Sequence, residues 1–327
     1  MYPFSYHRAA APKDAVQAAG GVQAQFIAGG TQLVDLMKLG AMAPEHLVDI
    51  NDLALSGIEV RADGLVLGAL TRMSEVEHHD IIRRDYPVLA ATMALAASQQ
   101  IRAMASLAGN VLQRTRCSYF RDTGWSQCNK RMPGSGCAAL DGVNRKHAVL
   151  GVSEKCIATY PGDFAQALVA LGAEVHTSGP GGNRRIAFEQ LHTGPEDPHR
   201  ETVLMPGELI VAFTVPAGPW TKRSVYVKVR DRESYAYGLA TAAVGLDLDN
   251  GVVREARIGL GGVAYKPWRA HEAEQVLRGK RFDEALAEQA ARAAFAGARP
   301  RGENAFKVDL GQRTLVRALV QARAMEG

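Results

Sequence analysis

The sequence has no long hydrophobic run, and none of its segments approaches the roughly 18 apolar residues that a membrane-spanning helix needs. Its N-terminus, MYPFSYHRAAAPKDAV, has neither the apolar core of a secretory signal nor a twin arginine. We therefore expect no membrane span and no export signal on this chain. Such a protein would be cytoplasmic, or periplasmic through export together with a partner that carries the signal.

The sequence also has little excess charge. Its 38 Lys and Arg against 34 Asp and Glu leave a net charge of +4, which is not gathered into a basic tail or stripe. A nucleic-acid surface requires such a stripe, so we expect no nucleic-acid partner. Neither the G-x-G-x-x-G dinucleotide fingerprint nor a Walker loop is present. The length of 327 residues and the 47% hydrophobic composition are typical of a globular protein of two or three domains.

Cysteine is scarce, but the four cysteines all fall within 40 residues, separated by ten, eight and eighteen residues. Four thiolates form the complete ligand set of an iron–sulfur cluster or of a closed tetrahedral zinc site. Nearby Arg and Lys residues would offset the thiolate charge, and glycines permit tight turns. The pattern favours an iron–sulfur cluster, with structural zinc or disulfides as alternatives. The four residues are Cys117, Cys128, Cys137 and Cys156.

A second motif, QFIAGGTQLVDLMK, predicts a glycine turn at the start of a helix. We expect a short strand over 26–28, a turn at Gly29 and Gly30, and a helix capped by Thr31. Free backbone N–H groups at such a helix start can bind a phosphate or pyrophosphate. A plain helix-capping turn is the alternative reading.

The remaining patterns predict a mixture of helices and strands. Hairpins are expected around Asp63-Gly64 and at Asp249-Asn250-Gly251, and Pro87 opens an Ala-rich helix through about Ser98. His192 and His199 lie in a polar loop and are predicted to be solvent-exposed. After a boundary at 217–222, strands followed by helices indicate an α+β domain. The predicted strands of that part are 223–230, 236–248 and 252–261, and its predicted helices are 269–278, 282–297 and 311–325.

Five segments together resemble the FAD-binding subunit of the xanthine oxidase, or molybdenum hydroxylase, family. The resemblance covers essentially the whole chain. The cysteine-rich insertion is similar to that of the periplasmic aldehyde oxidoreductase group, in which the equivalent loop holds a 4Fe-4S cluster, and most members of the wider family lack it. The five segments are FIAGGTQLVDLMK, SLAGNVLQ, CIATYPGD, ELIVAFTVP and YVKVRDRESYAYGLATAAV.

The resemblance implies an α+β fold. A two-subdomain, PCMH-like FAD-binding domain would be followed by a C-terminal α+β domain with helices on an antiparallel sheet, as in CO dehydrogenase flavoproteins. The implied divisions are 1–57 for the first FAD-binding subdomain, 58–218 for the second with its cluster loop at 114–156, and 219–327 for the C-terminal domain.

The resemblance also implies which residues hold FAD. The first glycine turn would wrap the pyrophosphate. A second glycine turn, in the SLAGN segment at 106–110, would lie against the cofactor, and Ile210 would cover the ring edge. Lys228 would stabilise the negative charge of the reduced ring. Many relatives have Ser-Asp where this chain has Gly162-Asp163, so one hydroxyl contact is missing and Asp163 remains as an acceptor. The implied FAD-binding residues are Phe26, Ile27, Ala28, Gly29, Gly30, Thr31, Gln32, Leu33, Ala97 (on the Ala-rich helix), Ser106, Ala108, Gly109, Asn110, Leu112, Gln113, Gly162, Asp163, Ile210 and Lys228.

In function, the resemblance implies an electron-transfer subunit with FAD and a 4Fe-4S cluster bound by Cys117, Cys128, Cys137 and Cys156. Its partners would be a large subunit with a molybdenum cofactor, which oxidises an aldehyde, and a small subunit with two 2Fe-2S clusters. Electrons would leave to an external acceptor, and no residue of this chain would be catalytic. The alternatives are the flavoprotein subunit of a xanthine, CO or aromatic acyl-CoA enzyme, a stand-alone flavin oxidase, or a zinc-stapled scaffold.

Overall fold

The computed structural model describes residues 1–21 and 23–325. Within that part of the chain, every helix is either too short or too polar to span a membrane. Three sheets organise the described residues, and each carries its own helices. The predicted α+β class is therefore confirmed.

The first sheet is parallel and has the strand order β1-β3-β2. Helix α1 connects β1 to β2, and helix α2 connects β2 to the central strand β3. The predicted strand and helix around Gly29 are confirmed, with the strand beginning two residues earlier than expected. The elements are β1 (Ser5–Arg8), α1 (Pro12–Ala18), β2 (Ala24–Ile27), α2 (Leu33–Lys38) and β3 (His46–Asp49).

The second sheet is antiparallel and has the order β4-β5-β8-β6-β7. The predicted first hairpin is confirmed, since Arg61 pairs with Gly64 across it. Phe164, Phe188 and Phe213 pack together in the core beside this sheet, all at most 1% exposed. The strands are β4 (Ile58–Arg61), β5 (Gly64–Gly68), β6 (Glu174–Gly179), β7 (Gly182–Ala187) and β8 (Leu209–Pro216).

Short helices cover this sheet and carry the second glycine turn. Helix α9 is buried at all eight of its residues because it packs both on this part of the chain and on the C-terminal sheet. The helices are α3 (Met73–His78), α4 (Asp80–Asp85), α5 (Pro87–Ala94), α6 (Gln99–Met104), α7 (Leu107–Val111), α8 (Ser118–Arg121), α9 (Phe164–Leu171) and α10 (Phe188–Leu191).

The third sheet is antiparallel, with the order β12-β11-β10-β9. The hairpin between β10 and β11 is confirmed, and the positive φ angles of Asn250 (50°) and Gly251 (81°) suit its tight turn. The last helix begins five residues earlier than predicted and packs along β10. The elements are β9 (Ser224–Val229), β10 (Ala240–Asp249), β11 (Val252–Gly261), β12 (Trp268–Arg269), α11 (His271–Leu277), α12 (Glu284–Ala294), a 3-10 turn (Gly302–Asn304) and α13 (Phe306–Ala324).

A buried lysine joins the cysteine-rich segment to this last domain. Lys307, in the first turn of α13, is 0% exposed. Its Nζ donates to the carbonyl oxygens of Lys146 (2.9 Å), His147 (3.0 Å) and Gly262 (2.6 Å). Burial lowers the pKa of Lys307 to about 7. The protein therefore holds three backbone carbonyls together with one desolvated ammonium group.

This lysine predicts a pH dependence of stability. Below pH 7 the folded and unfolded states are both protonated at Lys307, and the cost of burying the charge is complete. Between about pH 7 and the ordinary value of 10.5 only the unfolded state keeps the proton, so stability rises with pH. We expect the free energy of unfolding to rise by up to about 1.4 kcal/mol per pH unit relative to Lys307→Met.

Urea denaturation between pH 6 and 10 measures this difference. The exposed Lys280→Met serves as the control, and it should keep the wild-type slope. Equal slopes for Lys307→Met and wild type would contradict the prediction.

Candidate functional site

The first glycine turn lies against the backbone that leads into the second. A Cβ atom on Gly29 would stand 2.8 Å from the carbonyl carbon of Met104 and closer still to its oxygen. Gly30 has a φ of +67°, which favours glycine. Because Ser106 follows Met104 by two residues, the structure brings the two predicted turns together. The capping role of Thr31 was wrongly predicted: the turn extends through Thr31, and Gln32 occupies the position before α2.

Two side chains that the sequence did not single out brace this contact. Arg72 donates to the carbonyl oxygen of Met104 (2.6 Å) and to Oδ1 of Asn51 (3.1 Å). Asn51 in turn donates from Nδ2 to the carbonyl oxygen of Ala28 (3.0 Å). These bonds join the backbone just before the first turn to the backbone just before the second.

A buried hydrogen-bond acceptor, Oδ1 of Asn110, lies at the second glycine turn. Ser106 caps α7, since its Oγ accepts from the N–H of Gly109 at 3.2 Å. Asn110 donates from Nδ2 to the sulfur of Met73 at 3.4 Å, and Gln113 donates to the carbonyl oxygen of Asn110 at 2.8 Å. Within the described residues, the buried Oδ1 of Asn110 has no partner. Such an atom fits a site where a bound ligand supplies the missing donor.

Ala97 does not lie on a helix, so its predicted helical position was wrong. Helix α5 ends at Ala94, and Ala97 adopts a left-handed φ of 46°. The chain reverses there before Ser98 caps α6 through the N–H of Ile101. Ile210 is 1% exposed and belongs to the same core cluster as Leu107 and Val111 of α7, the helix that begins at the second turn.

Asp163 and Lys228 form a buried ion pair. Nζ of Lys228 lies 2.8 Å from Oδ2 of Asp163 and also donates to the carbonyl oxygen of Leu95 at 2.9 Å. The hydroxyl of Tyr226 donates to the other carboxylate oxygen at 2.6 Å. Desolvation raises the pKa of Asp163, while the charge of Lys228 acts in the opposite direction. Tyr226 was not predicted, although its position two residues before Lys228 on one strand places both on the same sheet face.

This pair predicts a large penalty for removing one partner. Lys228→Met should lower the free energy of unfolding by about 3–5 kcal/mol, because it leaves the Asp163 carboxylate buried without its cation. The double variant Asp163→Asn/Lys228→Met should recover a large part of that loss. Urea denaturation of flavin-free protein measures both. Equal stability of the single and double variants would show that the pair is not coupled.

The four cysteines come together around Cys117. Cys117 packs against three small apolar clusters, which contain Cys128, Cys137 and Cys156 respectively. All four are free thiols in the structure, and Cys128 and Cys137 pair as an isolated β-bridge. Burial raises the pKa of Cys117 to about 12, and a hydrogen bond from Cys156 lowers that of Cys137 to about 6. Nε2 of His147 lies 3.2 Å from the sulfur of Cys117.

Four free thiols form the complete donor set of either a tetrahedral zinc site or a 4Fe-4S cluster. Among residues 1–21 and 23–325, no three Cys, His, Asp or Glu side chains are arranged to hold one metal ion. A mononuclear zinc site would require four donors about 2.3 Å from one point. In a 4Fe-4S cluster each thiolate binds a different iron, so the ligands surround a larger body.

Contacts over long sequence distances join the cysteine segment to the first glycine turn. Gln32 and the backbone of Arg114 exchange two hydrogen bonds of 2.9 and 2.8 Å. Asp35 in α2 pairs with Arg121 at 2.8 Å. Leu36 packs with Phe120 and Cys128. The helix that follows the first turn is thus part of the wall around the cysteines.

A polar network lies on the other side of the cysteine segment. Lys130, Glu201 and Tyr265 line a cavity of about 30 Å³ together with His192. The predicted exposure of His192 was wrong: it is 7% exposed, its ring lies 4.9 Å from that of Tyr160, and burial lowers its pKa to about 4. The surrounding loop looked polar in sequence, but it folds back onto the end of α7.

The chain is similar to known protein families, to individual proteins and to solved structures. Residues 2–218 match the family described as the FAD binding domain in molybdopterin dehydrogenase, and residues 225–322 match the CO dehydrogenase flavoprotein C-terminal domain. The chain is 48% identical to the aldehyde oxidoreductase FAD-binding subunit of Escherichia coli K12, over 99% of each chain. It is 29% identical to the CO dehydrogenase medium chain of Afipia carboxidovorans, over 98% of this chain and 97% of the relative. The solved structure of reconstituted CO dehydrogenase from Oligotropha carboxidovorans matches 100% of both chains with a TM-score of 0.78 at 28% identity.

Proposed function

Because this chain belongs to the molybdopterin dehydrogenase FAD-binding family, we propose that it is the FAD-binding electron-transfer subunit of a molybdenum-containing aldehyde oxidoreductase. The observation that carries the proposal is the 48% identity along the whole chain with a subunit of that name. Membership confirms the predicted family, the predicted oxidoreductase class and the FAD-binding domain followed by a C-terminal domain.

The proposal assigns FAD to the two glycine turns. FAD would supply the chemistry that passes electrons on. The turn at Gly29 and Gly30 offers backbone N–H groups for the pyrophosphate. Asn110 offers its free amide oxygen to a donor of the cofactor. Lys228, held by Asp163, would supply positive charge to stabilise the reduced ring.

The proposal assigns a 4Fe-4S cluster to Cys117, Cys128, Cys137 and Cys156. Their convergence around Cys117 and their free thiols support this assignment. The segment is attached to the first turn through Gln32 and to the C-terminal sheet through Lys307. Flavin binding and cluster assembly would therefore depend on each other.

The proposed complex is a heterotrimer. A large subunit would hold the molybdenum cofactor and oxidise the aldehyde, and a small subunit with two 2Fe-2S clusters would relay the electrons to this chain. An external acceptor would then remove them. Within this chain, the proposal needs no side chain to act as nucleophile or general acid.

Purification from the native source tests this function. We expect two further chains to accompany this one, and an aldehyde to bleach the flavin absorption of the complex but not that of the isolated chain. Bleaching of the isolated chain by an aldehyde would instead favour a stand-alone flavin oxidase.

A further inference from the structure

Lys130 places a buried positive charge beside the cysteines. It lies two residues after Cys128, and its side chain is 5% exposed. Its Nζ is 2.6 Å from Oε1 of Glu201 and 2.9 Å from the hydroxyl of Tyr265. The ring of Tyr265 packs in the same small cluster as Cys156. The ammonium group is thus fixed from two sides at the edge of the proposed cluster site.

The network around Lys130 is not neutral. Arg114 also pairs with Glu201, its Nε lying 3.1 Å from Oε2. Two cations therefore share one carboxylate, and all three side chains are largely buried, with at most 22% exposed. An excess buried charge is costly unless an opposite charge lies nearby. Thiolates bound to iron would supply that negative charge.

Resting on the proposed function, we propose that Lys130 raises the reduction potential of the iron–sulfur cluster and that Glu201 limits the rise. Reduction adds one electron to the cluster and makes it more negative. A fixed cation nearby stabilises that state, and a nearby carboxylate opposes it. The step requires no change of bonding or protonation at Lys130, because the electron comes from the reductant and stays on the cluster.

A purely structural role makes a different prediction. Lys130→Met and Glu201→Gln both break the same ion pair, so a structural effect would move the potential in the same direction or not at all. Charge tuning moves it in opposite directions. Lys130→Met should lower the potential and Glu201→Gln should raise it, each by on the order of a tenfold change in the reduction equilibrium, or about 59 mV for one electron.

The test is a potentiometric titration of the purified complex with dithionite, following the cluster by electron paramagnetic resonance. Lys130→Arg keeps the charge and should stay close to wild type. Arg257→Gln, which removes an ion-paired cation on β11, is the control outside the network and should leave the potential unchanged.

Each outcome of the potentiometric titration either supports or overturns the inference about Lys130 and Glu201. Opposite shifts for Lys130→Met and Glu201→Gln support the inference, whereas shifts of one sign or none overturn it while leaving the proposed function intact. If Lys130→Met does not retain iron, the Glu201→Gln shift decides alone, because that variant keeps Lys130. A wild-type complex in which this chain holds no iron would overturn this inference together with the cluster assignment.

Discussion

Gly29→Ala is expected to yield a folded chain that is almost free of flavin. The added Cβ would stand 2.8 Å from the carbonyl carbon of Met104, a backbone atom that cannot move without displacing α6 and the turn after it. The two turns would separate, and the phosphate-binding N–H groups of the first would no longer face the second. We expect flavin affinity to fall by at least about 100-fold, which corresponds to about 2.7 kcal/mol.

Flavin absorbance per chain, measured after gel filtration, checks this prediction. Gly194→Ala is the matched control, since a Cβ at Gly194 would meet nothing within 4 Å. That variant should retain the wild-type flavin content. A full complement of flavin in Gly29→Ala would mean that the contact between the turns does not support the cofactor.

Cys128→Ser is expected to remove the cluster and to weaken flavin binding as well. The thiol at position 128 packs with Leu36 of α2 and with Phe120, so loss of the cluster would loosen the wall behind the first glycine turn. We expect iron content to fall below about a tenth of wild type, because three thiolates do not complete the ligand set. Flavin affinity should fall by roughly tenfold, or about 1.4 kcal/mol.

Iron, sulfide and flavin assays on the same preparation measure both effects. Met132→Ser exchanges a sulfur for a hydroxyl in the same loop at a side chain that is 62% exposed, and it should change neither content. If Cys128→Ser retains wild-type iron, position 128 is not a ligand. If it loses iron but binds flavin normally, the two sites are independent.

The features predicted correctly from the sequence are those encoded locally. The glycine turn at 29–30 and the hairpin at 249–251 each depend on a few neighbouring residues with strong conformational preferences. The exact first residue of a helix was harder to predict. At α2 the turn with left-handed Gly30 extends past Thr31, the first residue suited to capping, so the helix begins later than predicted.

The hydrogen bonds and ion pairs that hold the site together could not be predicted, because they join residues that lie far apart in the sequence. Gln32 and Arg114 are 82 positions apart, and Lys130 and Glu201 are 71 apart. A single sequence contains no signal for such pairs. Tyr226 is the exception: its period-two spacing from Lys228 placed both side chains on one face of β9, so this partner of Asp163 was open to prediction.

Cofactor analysis of the purified wild-type chain tests the central claim most directly. The account predicts about one FAD, four iron and four acid-labile sulfide per chain, with a flavin spectrum superimposed on broad cluster absorption. A chain that binds FAD but contains zinc, or no metal, would contradict the assignment of the four cysteines, and a chain without flavin would contradict the site as a whole.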